Sequence, residues 1–287
     1  MIADRLEELK EELDTELRGN ILPWWMEHTP DHNRGGFHGH ITHMNRVVEG
    51  AGRGAVLNTR ILWTFAAAFR FCGEKEYLEM ARRAYEYLEE HFVDRDCGGV
   101  YWELEPDGTA RNTRKQIYAV AFAIYALAEY RMATGDEKAM QTAAGLFRDI
   151  ESHAFDTRRN GYVDALSREW DPVEDLRLSE KDQNESKTMN THLHIMEAYA
   201  HLFRIWKEDA LEKALGNLVR LFLDKFVDRS SLHLNLFFDD DWNLRSSLVS
   251  YGHDIECAWL LHEAAEVLGE ADLVQETGPL AVALARV

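Results

Sequence analysis

Two short stretches hold the residues best suited to moving a proton: Met189-Asn190-Thr191-His192-Leu193-His194 and Ser250-Tyr251-Gly252-His253-Asp254-Ile255-Glu256. Each sets histidine beside hydrogen-bonding partners at the head of an apolar run with helical period. Residues three or four apart share a helix face. Asn190 and His194 therefore point the same way, with His192 well round the helix, and His253 and Glu256 form a second such pair. Imidazole titrates near neutrality, and a carboxylate one turn away can orient it and hold a substrate hydroxyl, so His253 with Glu256 suits acid/base work at cellular pH. Arg60, at the head of another apolar run, offers forked cationic donors to an oxyanion, and Tyr118 opens a fourth run. Taken singly, each residue has an ordinary structural use: Asn190 as a helix cap, His194 as a hydrogen-bonded core histidine, His253 with Glu256 as a local ion pair, Arg60 as a salt bridge and Tyr118 as core. What argues for a site is their recurrence at helix starts.

Other chemistries are poorly served. His192 and His194 are two apart on a helix and cannot easily aim both rings at one ion, so no metal is expected. There is no Gly-x-Ser-x-Gly elbow, and Cys257 lies off the face that carries Glu256, which leaves nucleophilic catalysis without a nucleophile. No Gly-rich phosphate loop follows a strand, so no nucleotide cofactor is implied.

The elements that must position these residues form a repeat. Four apolar runs begin at Asn58, Gln116, Asn190 and Ser250, their starts 58, 74 and 60 residues apart. Each is followed, after a break such as Cys72-Gly73-Glu74 or Thr134-Gly135-Asp136, by a more charged helix with a narrower apolar stripe, starting near Lys75, Glu137, Asp209 and Ala271. Aromatic, turn-rich stretches from Gly35, Gly98, Asn160 and Leu232 read as hairpins between the pairs. An inner helix buried on most sides, an outer helix buried on one and a hairpin make the unit of a double-layered helical toroid. In such a toroid the inner-helix starts converge on one central cavity.

Composition narrows the partners. The chain has 287 residues, a formal net charge of -19 and a pI near 5.1, which disfavours nucleic acid and anionic membrane surfaces but not a neutral ligand. No apolar run reaches the roughly 18 residues of a membrane span. The N-terminus is charged from the outset, unlike a secretory signal. Cys72, Cys97 and Cys257 fit reduced thiols, so a soluble cytoplasmic protein is expected, read as one domain over 1–287. Of the eight tryptophans most belong in the core, and Trp170, near the insertion that lengthens one repeat, is expected to be free to stack on a sugar.

The stretches ILPWWMEHTPDHNRGGFHGHI, NTRILWTFA, KQIYAVAFAIYALAEY, LSEKDQNESKTMNTHLHIMEAY and SYGHDIECAWLLHEAAEVLG resemble, in order and over nearly the whole chain, the cellobiose 2-epimerases within the N-acylglucosamine 2-epimerase superfamily. The resemblance implies an all-α (α/α)6 barrel and epimerisation at C2 of the reducing-end sugar of a β-1,4-linked disaccharide, with no metal or redox cofactor. It makes His253 one of two acid/base histidines. It places Arg60, Tyr118, Asn190, His194 and Glu256 around the reducing-end sugar, and Ser179 and Asp182 at the pocket mouth near the second sugar. A closed barrel needs six inner and six outer helices. The pattern supplies four of each and an N-terminal helix, about nine of twelve, so roughly 90 residues are expected to be lacking on the C-terminal side. In the family that region carries the second acid/base histidine and the stacking tryptophans. An unclosed toroid exposes apolar flanks, which favours self-association. Three other readings stay open: a mannobiose epimerase or mannose isomerase, a glycoside hydrolase using Asp182 and Glu256, and a non-catalytic sugar-binding homologue.

Overall fold

A computed structural model describes residues 2–287, and among them the helices follow the expected alternation. The N-terminal rod is α1 (Ile2–Glu16), a π-helical turn over Leu17–Ile21, and α2 (Leu22–His28), with Pro23 in its first turn, where a missing N–H is harmless. Four pairs follow: α3 (Ala55–Cys72) with α4 (Lys75–Tyr87), α5 (Ile117–Thr134) with α6 (Glu137–His153), α7 (Met189–Phe203) with α8 (Asp209–Leu221), and α9 (Tyr251–Leu268) with α10 (Ala271–Leu284). The inner helices α3, α5, α7 and α9 pack side by side in that order, and each is backed by its outer partner. This is the (α/α)6-barrel architecture, of which these helices form four consecutive pairs.

Local sequence explains the pattern. Helices α3, α5 and α9 stop at Gly73, Gly135 and Gly269, each in the left-handed conformation that glycine adopts without steric cost. Helix α5 is buried on nearly every face. Its alanines at 119, 121, 123, 126 and 128 are fully buried and let α3 and α7 approach closely. The outer helices α4, α6 and α8 bury one stripe each, as their charge pattern requires.

The strands are β1 (Arg53–Gly54), β2 (Glu103–Leu104), β3 (Ala110–Asn112), β4 (Lys115–Gln116), β5 (Ala165–Leu166), β6 (Lys187–Thr188), β7 (Val227–Asp228), β8 (His233–Leu234) and β9 (Phe237–Phe238). The sequence suggested self-contained hairpins, and β2–β3 and β7–β8 are such. The other pairings cross between units: β1 with β2, β4 with β5 and β6 with β9, all antiparallel. The two residues before an inner helix are thus strapped to the loop that follows the outer helix of the same pair. The first helical N–H completes the strap, Ala55 donating to Trp102 O at 3.0 Å, Ile117 to Asp164 O at 3.0 Å and Met189 to Leu236 O at 2.9 Å. An inner-helix start has orphan N–H groups to satisfy, and the next loop supplies a carbonyl.

A buried ion pair recurs at the same place. Arg53, Lys115 and Lys187, each two residues before an inner helix, donate to Asp31, Asp94 and Asp156 at 2.7, 2.7 and 2.9 Å. Each aspartate also closes its own turn by accepting two backbone N–H groups. At the fourth such position the residue is Val249, and Asp228 bonds Ser230 and Ser231 instead.

Trp170 departs from expectation. Its backbone is left-handed at φ 69°, its Nε1 donates to Cys97 O at 2.6 Å, and its ring stacks on His153 with centroids 4.5 Å apart. The ring covers Gly99, where a Cβ would come within 3.0 Å of it. Trp242 does the same one repeat later, donating to Arg159 O and covering Gly161. Trp170 is a structural wedge, because the side of the ring that sugar stacking would need is already occupied.

Candidate active site

The candidate residues sit in layers because they occupy equivalent turns of neighbouring inner helices. Tyr118, Asn190 and His253 lie in first turns, and Arg60, His194 and Glu256 in second turns. Ser250 caps α9 by accepting from His253 N, and Thr188 caps α7 by accepting from Thr191 N. Asn190 is therefore not the cap of its helix. Its Oδ1 is buried without a partner, which is the mark of a group kept for something else.

Two hollows lie at these helix starts. One, of about 440 Å³, lies under the segment 176–185 and is lined by Asp164, Asp182, Gln183, Thr188, Asn190, Phe237 and His253. The other, open-sided and of about 710 Å³, is lined by Arg60, Trp63, Phe122, Tyr125, His194, Glu197, Glu256 and Trp259, so that α3 and α9 face each other across it.

Contacts tie the second layer together. Arg60 Nη2 donates to the Tyr118 hydroxyl at 3.3 Å, and its guanidinium lies 4.5 Å from the centre of the Phe122 ring. The His194 ring is wedged against Tyr118 and Phe122, with centroids 4.9 and 4.7 Å apart. Its Nδ1 meets Glu197 Oε2 at 2.8 Å, and its Nε2 stands 3.9 Å from Glu256 Oε1. Glu256 thus faces His194 across the hollow rather than forming a salt bridge with His253 on its own helix. Burial pushes the Tyr118 hydroxyl up, with Arg60 partly offsetting it.

His253 is half-buried. Burial lowers its pKa from the usual histidine range, Glu256 pulls it back up, and His194 opposes Glu256. The ring is consequently neutral at physiological pH, the state in which imidazole accepts a proton. Its Nδ1 is buried with no partner. Asp182 lines the same lobe as His253, whereas Ser179 does not line it and acts on Asp182, donating backbone N–H and hydroxyl to the carboxylate at 2.9 and 2.8 Å. His192, set aside in the sequence, is fully buried: Nδ1 donates to Thr188 O at 2.7 Å and Nε2 accepts from Tyr162 N at 2.9 Å, and burial lowers its pKa to about 4. Cys257 is buried away from the hollow, and burial raises its thiol pKa.

With this geometry, the sequence profile of the N-acylglucosamine 2-epimerase (GlcNAc 2-epimerase) family matches residues 35–284. The chain belongs to the N-acylglucosamine 2-epimerase family. Over 272 residues it is 55% identical to the cellobiose 2-epimerase of Bacteroides fragilis, covering 95% of this chain and 69% of that protein. It is 38% identical to the cellobiose 2-epimerase of Ruminococcus albus over 268 residues, 92% of this chain and 67% of the relative. The solved cellobiose 2-epimerase of Bacillus thermoamylovorans superposes with a TM-score of 0.93 at 35% identity, covering 98% of this chain and 71% of that one.

As a member of this epimerase family, the chain carries site groups that its motifs did not bring forward. Glu197 follows His194 by three residues, so the helical spacing used for His253 and Glu256 would have found it. Trp63 stacks on Tyr125 at 5.2 Å, one turn beyond Arg60, and its Nε1 is buried without a partner. Gln116 Nε2 holds Leu176 O of the lobe-covering segment at 3.1 Å while its Oε1 is free, a pairing across 60 residues that no local pattern announces.

Proposed function

We propose that this chain epimerises C2 of the reducing-end sugar of β-1,4-linked disaccharides, converting cellobiose to glucosyl-mannose. The observation that carries the reading is the placement of Asn190 and His253 on one hollow and of Arg60, His194 and Glu256 on a second beside it, with Tyr118 in contact with Arg60 and His194, in a chain 55% identical to a cellobiose 2-epimerase. The C2 proton of an aldose becomes removable once the ring opens and the aldehyde activates it. His253, neutral and partly shielded, takes that proton. Arg60 with Asn190 steadies the charge that moves onto the carbonyl oxygen of the enediolate, and the hollow's walls limit access of water. Inversion returns a proton to the opposite face of C2, the task of a second acid/base group. Asp182, held by Ser179, meets the second sugar. The reading places the protein in the cytoplasm, in keeping with the free thiols of Cys72, Cys97 and Cys257. It includes self-association through the apolar face of α9, where Tyr251, Ile255 and Trp259 are exposed at successive turns; light scattering that gives a monomer removes that part.

The test is C2 exchange in heavy water with cellobiose as substrate, alongside a product assay. Deuterium at C2 and mannose at the reducing end with the linkage intact are expected, and His253→Ala abolishes both. Free glucose from cellobiose would indicate the hydrolase reading instead. Equal exchange in the wild type and His253→Ala would remove His253 from the mechanism.

A further inference from the structure

His194 and Glu197 form a dyad that the roles assigned so far leave unused. Both side chains are nearly buried, at 4% and 11% exposure, which sets the pair apart from a solvated on-helix ion pair. The ring cannot turn freely, because Tyr118 and Phe122 pack against it from α5. Charged or titratable groups approach it from each neighbouring helix: Arg60 through Tyr118 from α3, Tyr118 itself from α5, Glu197 on α7, and His253 with Glu256 from α9. Among the described residues only Glu197 is within hydrogen-bond distance of a ring nitrogen. Burial, and the Glu197 carboxylate nearby, both push the Tyr125 hydroxyl up.

We propose that Glu197 is the positioning residue of this site: it keeps the His194 proton on Nδ1, so that Nε2 meets the sugar with its lone pair. A carboxylate accepts hydrogen bonds and does not donate, so at 2.8 Å the shared proton belongs to Nδ1. Nε2 is then an acceptor, and it stands 3.9 Å from Glu256 Oε1, beyond hydrogen-bond range. Two acceptors side by side and unbonded to each other match two neighbouring hydroxyls of a sugar, each donating to one. His194 thus acts on the sugar as an acceptor of hydroxyl hydrogen, and the cationic donor of that layer is Arg60.

The proposal rests on the epimerase reading for its kinetic consequence but not for its spectroscopic one. Two-bond ¹H–¹⁵N correlation spectra of ¹⁵N-histidine protein, recorded at mildly alkaline pH where imidazoles are neutral and assigned with His194→Gln, report the tautomer directly. The Nδ1–H form is expected for His194 in the wild type and a mixture of forms in Glu197→Gln. In the same variant, kcat for cellobiose falls on the order of 100-fold while KM changes less than about threefold, and Glu197→Asp restores part of the loss by returning the acceptor charge. An Nε2–H tautomer in the wild type, or a Glu197→Gln spectrum identical to the wild type, overturns the proposal whether or not the protein turns over cellobiose. Inactive wild-type protein with Nδ1–H at His194 defeats the epimerase reading and leaves the dyad standing.

Discussion

Replacing Asp94 with asparagine tests the claim that buried cations strap the inner helices in place. Lys115 Nζ lies 2.7 Å from Asp94 Oδ2, and neither side chain has any exposure. Arg168 closes the other side with Nε and Nη2 at 2.8 and 3.0 Å. Burial alone would raise the Asp94 pKa, but the bonds from Arg168 and Lys115 hold the carboxyl well below the usual carboxylate range. Asparagine keeps an oxygen for the backbone N–H groups of Asp96 and Cys97, so what is lost is charge. Lys115 then stays buried opposite an amide, and removing one partner of a buried pair costs about 3–5 kcal/mol. At roughly 2–3 °C per kcal/mol for a domain of this size, the melting temperature falls by about 6–15 °C. Asp228→Asn is the internal control, since Val249 stands where a cation would be and the loss is confined to exposed serine bonds, so a much smaller change is expected. Urea unfolding followed by far-UV circular dichroism measures both. If Asp94→Asn loses no more than Asp228→Asn, the strapping argument is wrong.

Three further outcomes follow from the same geometry. Gly161 has φ 81°, and a Cβ there would lie 2.5 Å from the Trp242 ring and 2.9 Å from His192 Nε2, so Gly161→Ala is expected to cost about 2–4 kcal/mol in chemical denaturation; a neutral result would show that the wedge yields easily. Trp170→Phe keeps a ring over Gly99 but loses the bond to Cys97 O, for a loss of about 1 kcal/mol with kcat and KM unchanged. A KM for cellobiose raised tenfold would restore Trp170 to the site. For His192 the folded-state pKa is lowered from 6.5 to about 4 by burial. Its contribution to stability is full above 6.5 and is lost as pH falls through about 4, a swing of about 3 kcal/mol. Unfolding free energies taken across that window should flatten in His192→Gln, and an unchanged slope would refute the assignment.

The helix pairs were legible from spacing, and so was the position at inner-helix starts of most candidate site residues. Periods of three and four paired Asn190 with His194 and His253 with Glu256, the heads of apolar runs put Arg60 and Tyr118 beside them, and the glycine stops at 73 and 135 fell where the breaks were drawn. Pairing between units was not legible, because a two-residue strand carries too little pattern to name its partner. Asp31, Asp94 and Asp156 with Arg53, Lys115 and Lys187 were hidden for a related reason. The members of each pair are 22, 21 and 31 residues apart and differ in cation type, and only the fold shows that they are one device. Trp170 misled because composition cannot say which face of a ring is covered. Glu197 was in plain reach, on the same spacing as its neighbours.

The straps also bear on how such a chain can be recombined. Since Ile117 and Met189 bond carbonyls contributed by the loops ahead of α7 and α9, a segment exchanged with a relative at a break inside α6 or α8 would separate a helix head from its own clasp. Crossovers placed after a clasp and before the next inner helix, as within residues 167–186, keep helix head and clasp from the same parent and should give chimaeras that fold and hold Tyr118, Asn190 and His194 in register. Breaks inside the outer helices should give soluble but misaligned proteins.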